Sequence, residues 1–75
     1  MGQAQDERLI KKFGRNLKEI REKKGISLRD LALDADLSAN TISEIELGKR
    51  DPRMTTVVKL AFALGIDPAD LLPKF

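Results

Sequence analysis

The chain has 75 residues, of which 41% are hydrophobic and 35% charged, and this is the composition of one small globular domain. It contains no cysteine and no histidine, which excludes a disulfide framework, a thiol nucleophile, a histidine general base and the usual zinc sites. No apolar run approaches the roughly 18 residues of a membrane span, and no apolar segment near the start is typical of a secretory signal. We therefore expect a soluble cytoplasmic protein that is not an enzyme and has no metal, cofactor, small-molecule ligand or membrane partner.

The first predicted helix runs from about Asp6 to Lys24 and follows a start, residues 1–5, that we expect to be disordered. Its apolar residues recur at spacings of four, four and three, as on one buried helix face: Leu9, Phe13, Leu17 and Ile20. Gly14 lies inside this helix, where it costs about 1 kcal/mol relative to alanine. Gly25 ends the helix. Residues 1–25 carry a net charge of +4 and residues 26–75 one of −2, giving +2 overall.

Residues 28–47 predict two short helices joined by a tight turn. Ser27 and Ser38 are favourable N-caps for the two helices, and Asp36 falls where the turn needs a left-handed backbone, which aspartate tolerates better than most residues. Apolar residues at helical spacing allow the helices to cross closely: Leu31, Ala32, Ala35, Leu37, Ile42 and Ile45. The second helix is left with a small, polar outward side that suits contact with base edges, formed by Ala39, Asn40, Thr41, Ser43 and Glu44.

Two further helices complete the predicted fold. Gly48 ends the third helix, and Pro52 prevents an immediate restart. A fourth helix is predicted over Met54 to Leu64, and Asp67 followed by Pro68 is a start signal for a short fifth helix. The sequence thus predicts a single all-α domain of five helices, without internal repeats or linkers.

These features together resemble the Cro- and phage-repressor-type helix-turn-helix domains, the XRE family. Within this family the chain resembles phage repressors, antitoxin-type regulators and the small controller proteins of restriction–modification operons. The resemblance covers about residues 13–72. It is carried by Leu17, Ile20, Arg21, Leu31, Ala32, Ile42, Ile45, Glu46, Gly48, Pro52, Leu60, Ala61, Leu64, Gly65 and Ile66. It implies a five-helix lambda-repressor-like bundle whose third helix enters the DNA major groove.

The resemblance also assigns roles to individual residues. It implies that the base-contacting residues are Ala39, Asn40, Thr41, Ser43 and Glu44, with Asn40 able to donate to and accept from adenine simultaneously. The phosphate-contacting residues that it implies are Ser27, Arg29, Ser38, Lys49, Arg50 and Arg53. It further implies an ion pair between Arg21 and Glu46, which would tie the first helix to the end of the third.

Three positions depart from the family pattern. Leu28 stands where many members carry a glutamine that contacts phosphate and supports the recognition helix. Asp36 stands where glycine is common, and Leu47 replaces a residue that is often polar. Leu28, together with the acidic residues of the second and third helices, favours an alternative function, that of a protein-interaction adaptor or an antitoxin-type module with the same fold.

Apolar residues near the C-terminus predict a homodimer, because so small a domain has difficulty burying all of them. They are Met54, Val58, Phe62, Ile66, Leu71, Leu72 and Phe75. The alternative is a wider core onto which Phe75 folds back. The leading prediction is therefore a sequence-specific transcriptional regulator that binds double-stranded DNA, on a near-palindromic operator, as a homodimer.

Overall fold

The computed structural model describes residues 3–74, so the predicted role of Phe75 lies outside the described residues. Within that range the chain forms four α-helices: α1 (Gln3–Lys23), α2 (Leu28–Ala35), α3 (Ala39–Glu46) and α4 (Met54–Leu64). A single 3-10 turn, Pro68–Asp70, follows α4. The prediction of an all-α domain is confirmed. Across residues 3–74, no helix combines the length and the apolar character needed to cross a membrane.

The structure corrects the predicted start of the first helix and the predicted fifth helix. Helix α1 begins at Gln3, three residues before the predicted start at Asp6. Asp6 instead lies in the first turn of the helix, where its negative charge is favourable. Residues 3–5 are therefore helical, and the expectation of disorder is wrong for them. The predicted fifth helix is only the 3-10 turn: Asp67 caps it, but Pro73 disfavours helical backbone at the preceding residue and leaves no room for a full α-helix.

A single hydrophobic core joins all the helices. Its fully buried large side chains come from every element of the bundle: Leu17, Leu31, Ile42, Ile45, Leu60 and Leu71. The burial of Leu71 corrects its prediction as a dimer-interface residue. The amide nitrogen of Asn16 donates to the carbonyl oxygens of Asp70 and Leu71, each at 3.0 Å, and so holds the 3-10 turn against α1. This anchoring directs the Leu71 side chain into the core.

The turn between α2 and α3 has the geometry that the sequence predicts. Asp36 adopts a left-handed conformation, with φ of 55° and ψ of 49°. The Ser27 hydroxyl accepts from the backbone N–H of Asp30 at 3.0 Å, and the Ser38 hydroxyl accepts from that of Thr41 at 3.0 Å. Both N-caps are thereby confirmed, and together with the turn they fix where α3 begins.

Gly14 lies where α1 packs directly against the backbone of α3. A Cβ atom built on Gly14 would lie 2.8 Å from the carbonyl oxygen of Glu46 and closer still to that of Ile45. These are backbone atoms, which cannot move aside as a flexible side chain would. Glycine is therefore required here because it lets the two helices approach, and this requirement explains a residue that is otherwise unfavourable in a helix.

We expect Gly14→Ala to lower the free energy of unfolding by about 1–3 kcal/mol, as overpacking does elsewhere, although alanine is the better helix former. Urea unfolding followed by circular dichroism measures this change. Arg15→Ala, at the exposed neighbouring position of the same helix, is the control and should change stability by less than about 0.5 kcal/mol. A Gly14→Ala variant more stable than the parent would show that α1 and α3 can separate without loss.

Candidate nucleic-acid interface

Helix α3 presents one side to solvent because its other side is locked in the core. Ile42 and Ile45 are both fully buried. On the opposite side, Ala39 and Asn40 are exposed and Ser43 is half-buried. Helical spacing places these three residues together on the outward face of α3.

Thr41, which was predicted to contact bases, lies at the edge of this face. It is half-buried, and its hydroxyl oxygen accepts a hydrogen bond of 2.8 Å from the Ser38 hydroxyl. Thr41 also lines a polar depression between α3 and the start of α4, together with Arg50, Arg53 and Thr56. The Thr41 side chain thus borders both the N-cap of α3 and the α3–α4 loop.

Glu44 connects two of the other predicted DNA contacts. One of its carboxylate oxygens, Oε1, accepts from Arg50 Nη2 at 2.8 Å and from Asn40 Nδ2 at 3.5 Å. The Glu44 and Arg50 side chains are 35% and 49% exposed, so this ion pair lies at the surface. The structure therefore brings a predicted phosphate-contacting cation onto the outward side of α3.

The remaining predicted phosphate contacts flank α3. The Ser27 and Ser38 hydroxyls are used as helix caps, which fixes the N-termini of α2 and α3. Arg29 is exposed in the first turn of α2, and Lys49 and Arg53 are exposed in the segment that joins α3 to α4. Within residues 3–74 none of these three cations forms an ion pair, so their charges are available to an anion.

Two leucines distinguish this surface from the family pattern. Leu28 is half-buried and packs against the core, so its side chain offers no polar group to a phosphate. Leu47 is 60% exposed and lies four residues after Ser43, on the outward face of α3. Leu47 was not among the predicted contacts, although its helical spacing from Ser43 and Asn40 was a signal for it.

The predicted ion pair of Arg21 and Glu46 is present and fastens α1 to the end of α3. Arg21 Nε donates to Glu46 Oε2 at 2.7 Å and Nη2 donates to Oε1 at 3.1 Å, while Nη1 donates to the carbonyl oxygen of Ile26 at 2.8 Å. The two side chains are only 10% and 5% exposed. The hydrogen bond to Glu46 raises the pKa of Arg21, against the opposing effect of burial. Arg21 is therefore a permanent cation that orients the C-terminal end of α3.

Apolar side chains form a separate surface on α4 and the C-terminal segment. Met54 and Phe62 are 79% and 81% exposed, and Leu72 is 51% exposed. Val58 and Ile66 are half-buried. We call these five residues the apolar patch; apart from Leu71 and Phe75 it comprises the residues predicted for the dimer interface.

The fold and this geometry define a class of protein. Two short helices are joined by a tight turn, and the second presents a small, polar face between exposed cations. This arrangement is a helix-turn-helix domain. A sequence profile of the helix-turn-helix family matches residues 17–71, and the chain belongs to that family, of the XRE type.

Known proteins similar to this chain include regulators and controller proteins. It is 39% identical over 61 residues to the control protein C.BamHI of Bacillus amyloliquefaciens, an alignment that covers 80% of this chain and 75% of the relative. It is 39% identical over 66 residues to the transcriptional repressor RghR of Bacillus subtilis (strain 168), covering 87% of this chain and 49% of RghR. The chain thus spans about half the length of RghR.

A solved structure with the same fold is that of the restriction–modification controller protein C.AhdI from Aeromonas hydrophila. It superposes with a TM-score of 0.82 at 36% sequence identity, covering 84% of this chain and 96% of that one. The clp gene regulator ClgR of Corynebacterium glutamicum superposes with a TM-score of 0.80 at 32% identity, covering 84% of this chain and 82% of that one.

We expect Glu46→Gln to destabilise the fold by about 3–5 kcal/mol, because it leaves the buried Arg21 charge without its partner. Glu44→Gln is the matched control, since it replaces a carboxylate by an amide in the surface pair with Arg50. It should lower the free energy of unfolding by less than about 1 kcal/mol. Urea unfolding of both variants provides the comparison. Equal, small losses would mean that the Arg21–Glu46 pair does not hold α3 in place.

Proposed function

We propose that the chain is a transcriptional regulator that binds double-stranded DNA sequence-specifically, on a near-palindromic operator, as a homodimer with α3 in the major groove. The observation that carries the proposal is the outward face of α3, where exposed Asn40 lies on a helix fixed by a buried core and a buried ion pair. The relatives support it, since their names describe transcriptional regulators and control proteins.

Base reading would begin at the N-terminal end of α3. The Asn40 amide can donate through Nδ2 to adenine N7 and accept through Oδ1 from adenine N6, and so distinguish adenine from other bases. Ala39 is small enough to let the helix approach the groove floor, and Ser43 adds a hydroxyl one turn further on. The Thr41 hydroxyl is hydrogen-bonded to Ser38, so Thr41 would contact a base through its methyl group, which fits the methyl group of thymine.

Phosphate contacts would fix the register of the helix in the groove. Arg29 and the capped N-terminus of α2 would meet one strand, and Lys49 and Arg53 the other. These contacts provide affinity that depends on salt and does not depend on sequence. Asn40 and its neighbours would therefore supply most of the discrimination between sequences.

A second copy is needed because one recognition helix reads only a few base pairs, too few to define a site in a genome. The apolar patch supplies a surface for that copy, since Met54, Phe62 and Leu72 are exposed, exposed apolar surface marks partner sites, and a two-fold dimer is the most frequent assembly. Two α3 helices related by a two-fold axis would read half-sites about 34–36 Å apart. The operator would then be a near-palindrome.

We expect Asn40→Ala to cost about 1–3 kcal/mol of binding to a duplex selected from a random-sequence pool, with little change on unselected DNA. The preference for one base pair in each half-site should also relax. Ser43→Ala, on the same face of α3, serves as a comparison for a polar group with a smaller role. Equal losses on selected and unselected DNA would mean that Asn40 only positions the backbone.

We expect Phe62→Glu to give a folded monomer that binds DNA weakly, because a charge in the apolar patch opposes its burial between two copies. Sedimentation equilibrium measures the association. Leu33→Glu is the matched control: Leu33 is 72% exposed on α2, outside the apolar patch, and this variant should dimerise normally. A parent protein that stays monomeric at tens of micromolar would contradict the dimer and favour the protein-interaction module.

A further inference from the structure

Glu44 occupies an unusual position for an acid on a DNA-binding surface. It lies on α3, beside the predicted base-reading residue Asn40, where its charge opposes the approach of phosphates. Its Oε1 atom is bonded to Arg50 Nη2 at 2.8 Å and more weakly to Asn40 Nδ2 at 3.5 Å. Among the hydrogen bonds within residues 3–74, Glu44 Oε2 accepts none. Glu44 therefore compensates the Arg50 charge through one short hydrogen bond, at Oε1.

Because of this ion pair, Arg50 differs in its electrostatic state from the other cations near α3. Lys49 and Arg53 form no ion pair within residues 3–74, so each can meet a phosphate with its full charge. Arg50 and Glu44 together have no net charge, and a phosphate that recruits Arg50 must compete with the carboxylate. The pair is exposed and rests on one short hydrogen bond, so another donor can readily replace Arg50.

We propose that Glu44 is a specificity-determining residue that withholds Arg50 from phosphates until the correct base pair engages the carboxylate. This inference rests on the proposed function and identifies the base that Glu44 would contact. A carboxylate in the major groove accepts from the N4 amino group of cytosine. On a site with cytosine opposite Glu44, this amino group replaces Arg50 Nη2 as the donor to the Glu44 carboxylate. Arg50 is then free to contact a phosphate.

The coupling ties a phosphate contact to base identity. On other sequences Glu44 keeps Arg50, and the phosphate near Arg50 contributes nothing to affinity. On the correct sequence the protein gains both the cytosine contact and the phosphate contact. Discrimination is therefore greater than a single base contact would give, and binding to unselected DNA is kept weak.

The test compares four variants with the parent: Glu44→Gln, Arg50→Gln, the double variant and Arg53→Gln. Binding to a duplex selected by the parent protein and to a random-sequence duplex is measured over a range of salt concentrations. Each phosphate contact steepens the plot of log K against log salt by about 0.9. Circular dichroism confirms that all five proteins are folded.

We expect Glu44→Gln to bind the random duplex more tightly, with a slope steeper by about 0.9, because Arg50 is released. The double variant should return to the parental slope on random DNA. Arg50→Gln should make the slope shallower by about 0.9 on the selected duplex alone, whereas the control Arg53→Gln should do so on both duplexes. Sites selected by Glu44→Gln should lose cytosine at one position per half-site.

Two results would overturn the inference. One is an unchanged slope for Glu44→Gln on random DNA. The other is that Glu44→Gln strengthens binding to the random duplex by the same factor in the Arg50→Gln protein as in the parent. Glu44 would then act only by repelling phosphates. Both can occur while the parent still prefers its selected duplex, which leaves the proposed function intact. A parent that binds both duplexes equally would contradict the proposed function itself.

Discussion

The orientation of α3 is set by its contact with α1, between the middle of α1 and the C-terminal end of α3. At Gly14 the two backbones approach so closely that no side chain fits between them, and about two turns further along α1 the Arg21–Glu46 pair joins the same two helices. The buried pair adds little net stability to a fold, but it has one favourable geometry. Together the two contacts fix the angle at which α3 leaves the core, and hence which residues face outward.

That fixed angle gives the molecule two separate surfaces. The outward side of α3 is polar apart from Leu47 and is flanked by cations, whereas α4 and the C-terminal segment present the apolar patch. A helix that reads bases must be held rigidly, because a small displacement loses its hydrogen bonds to base edges. The apolar patch needs only to be exposed and contiguous. One hydrophobic core thus supports both the rigidly held recognition helix and the exposed apolar patch.

Local signals in the sequence predicted the elements that depend on neighbouring residues. Ser27, Ser38 and Asp36 mark the caps and the turn, because capping and left-handed backbone are properties of a few adjacent residues. Contacts between distant elements were harder to predict. The burial of Leu71 depends on Asn16, 55 positions earlier, and the Glu44–Arg50 pair depends on the path of the α3–α4 loop. The Arg21–Glu46 pair was predicted only because the chain resembles a known family.

The proposed function requires that this protein distinguish one DNA sequence from others. The most direct measurement selects duplexes from a random-sequence pool and compares the affinity of the enriched duplex with that of the unselected pool at one salt concentration. We expect a near-palindrome bound at least about 10³-fold more tightly than random DNA. A pool that shows no enriched sequence, or an enriched duplex that binds no more tightly than the starting pool, would contradict it.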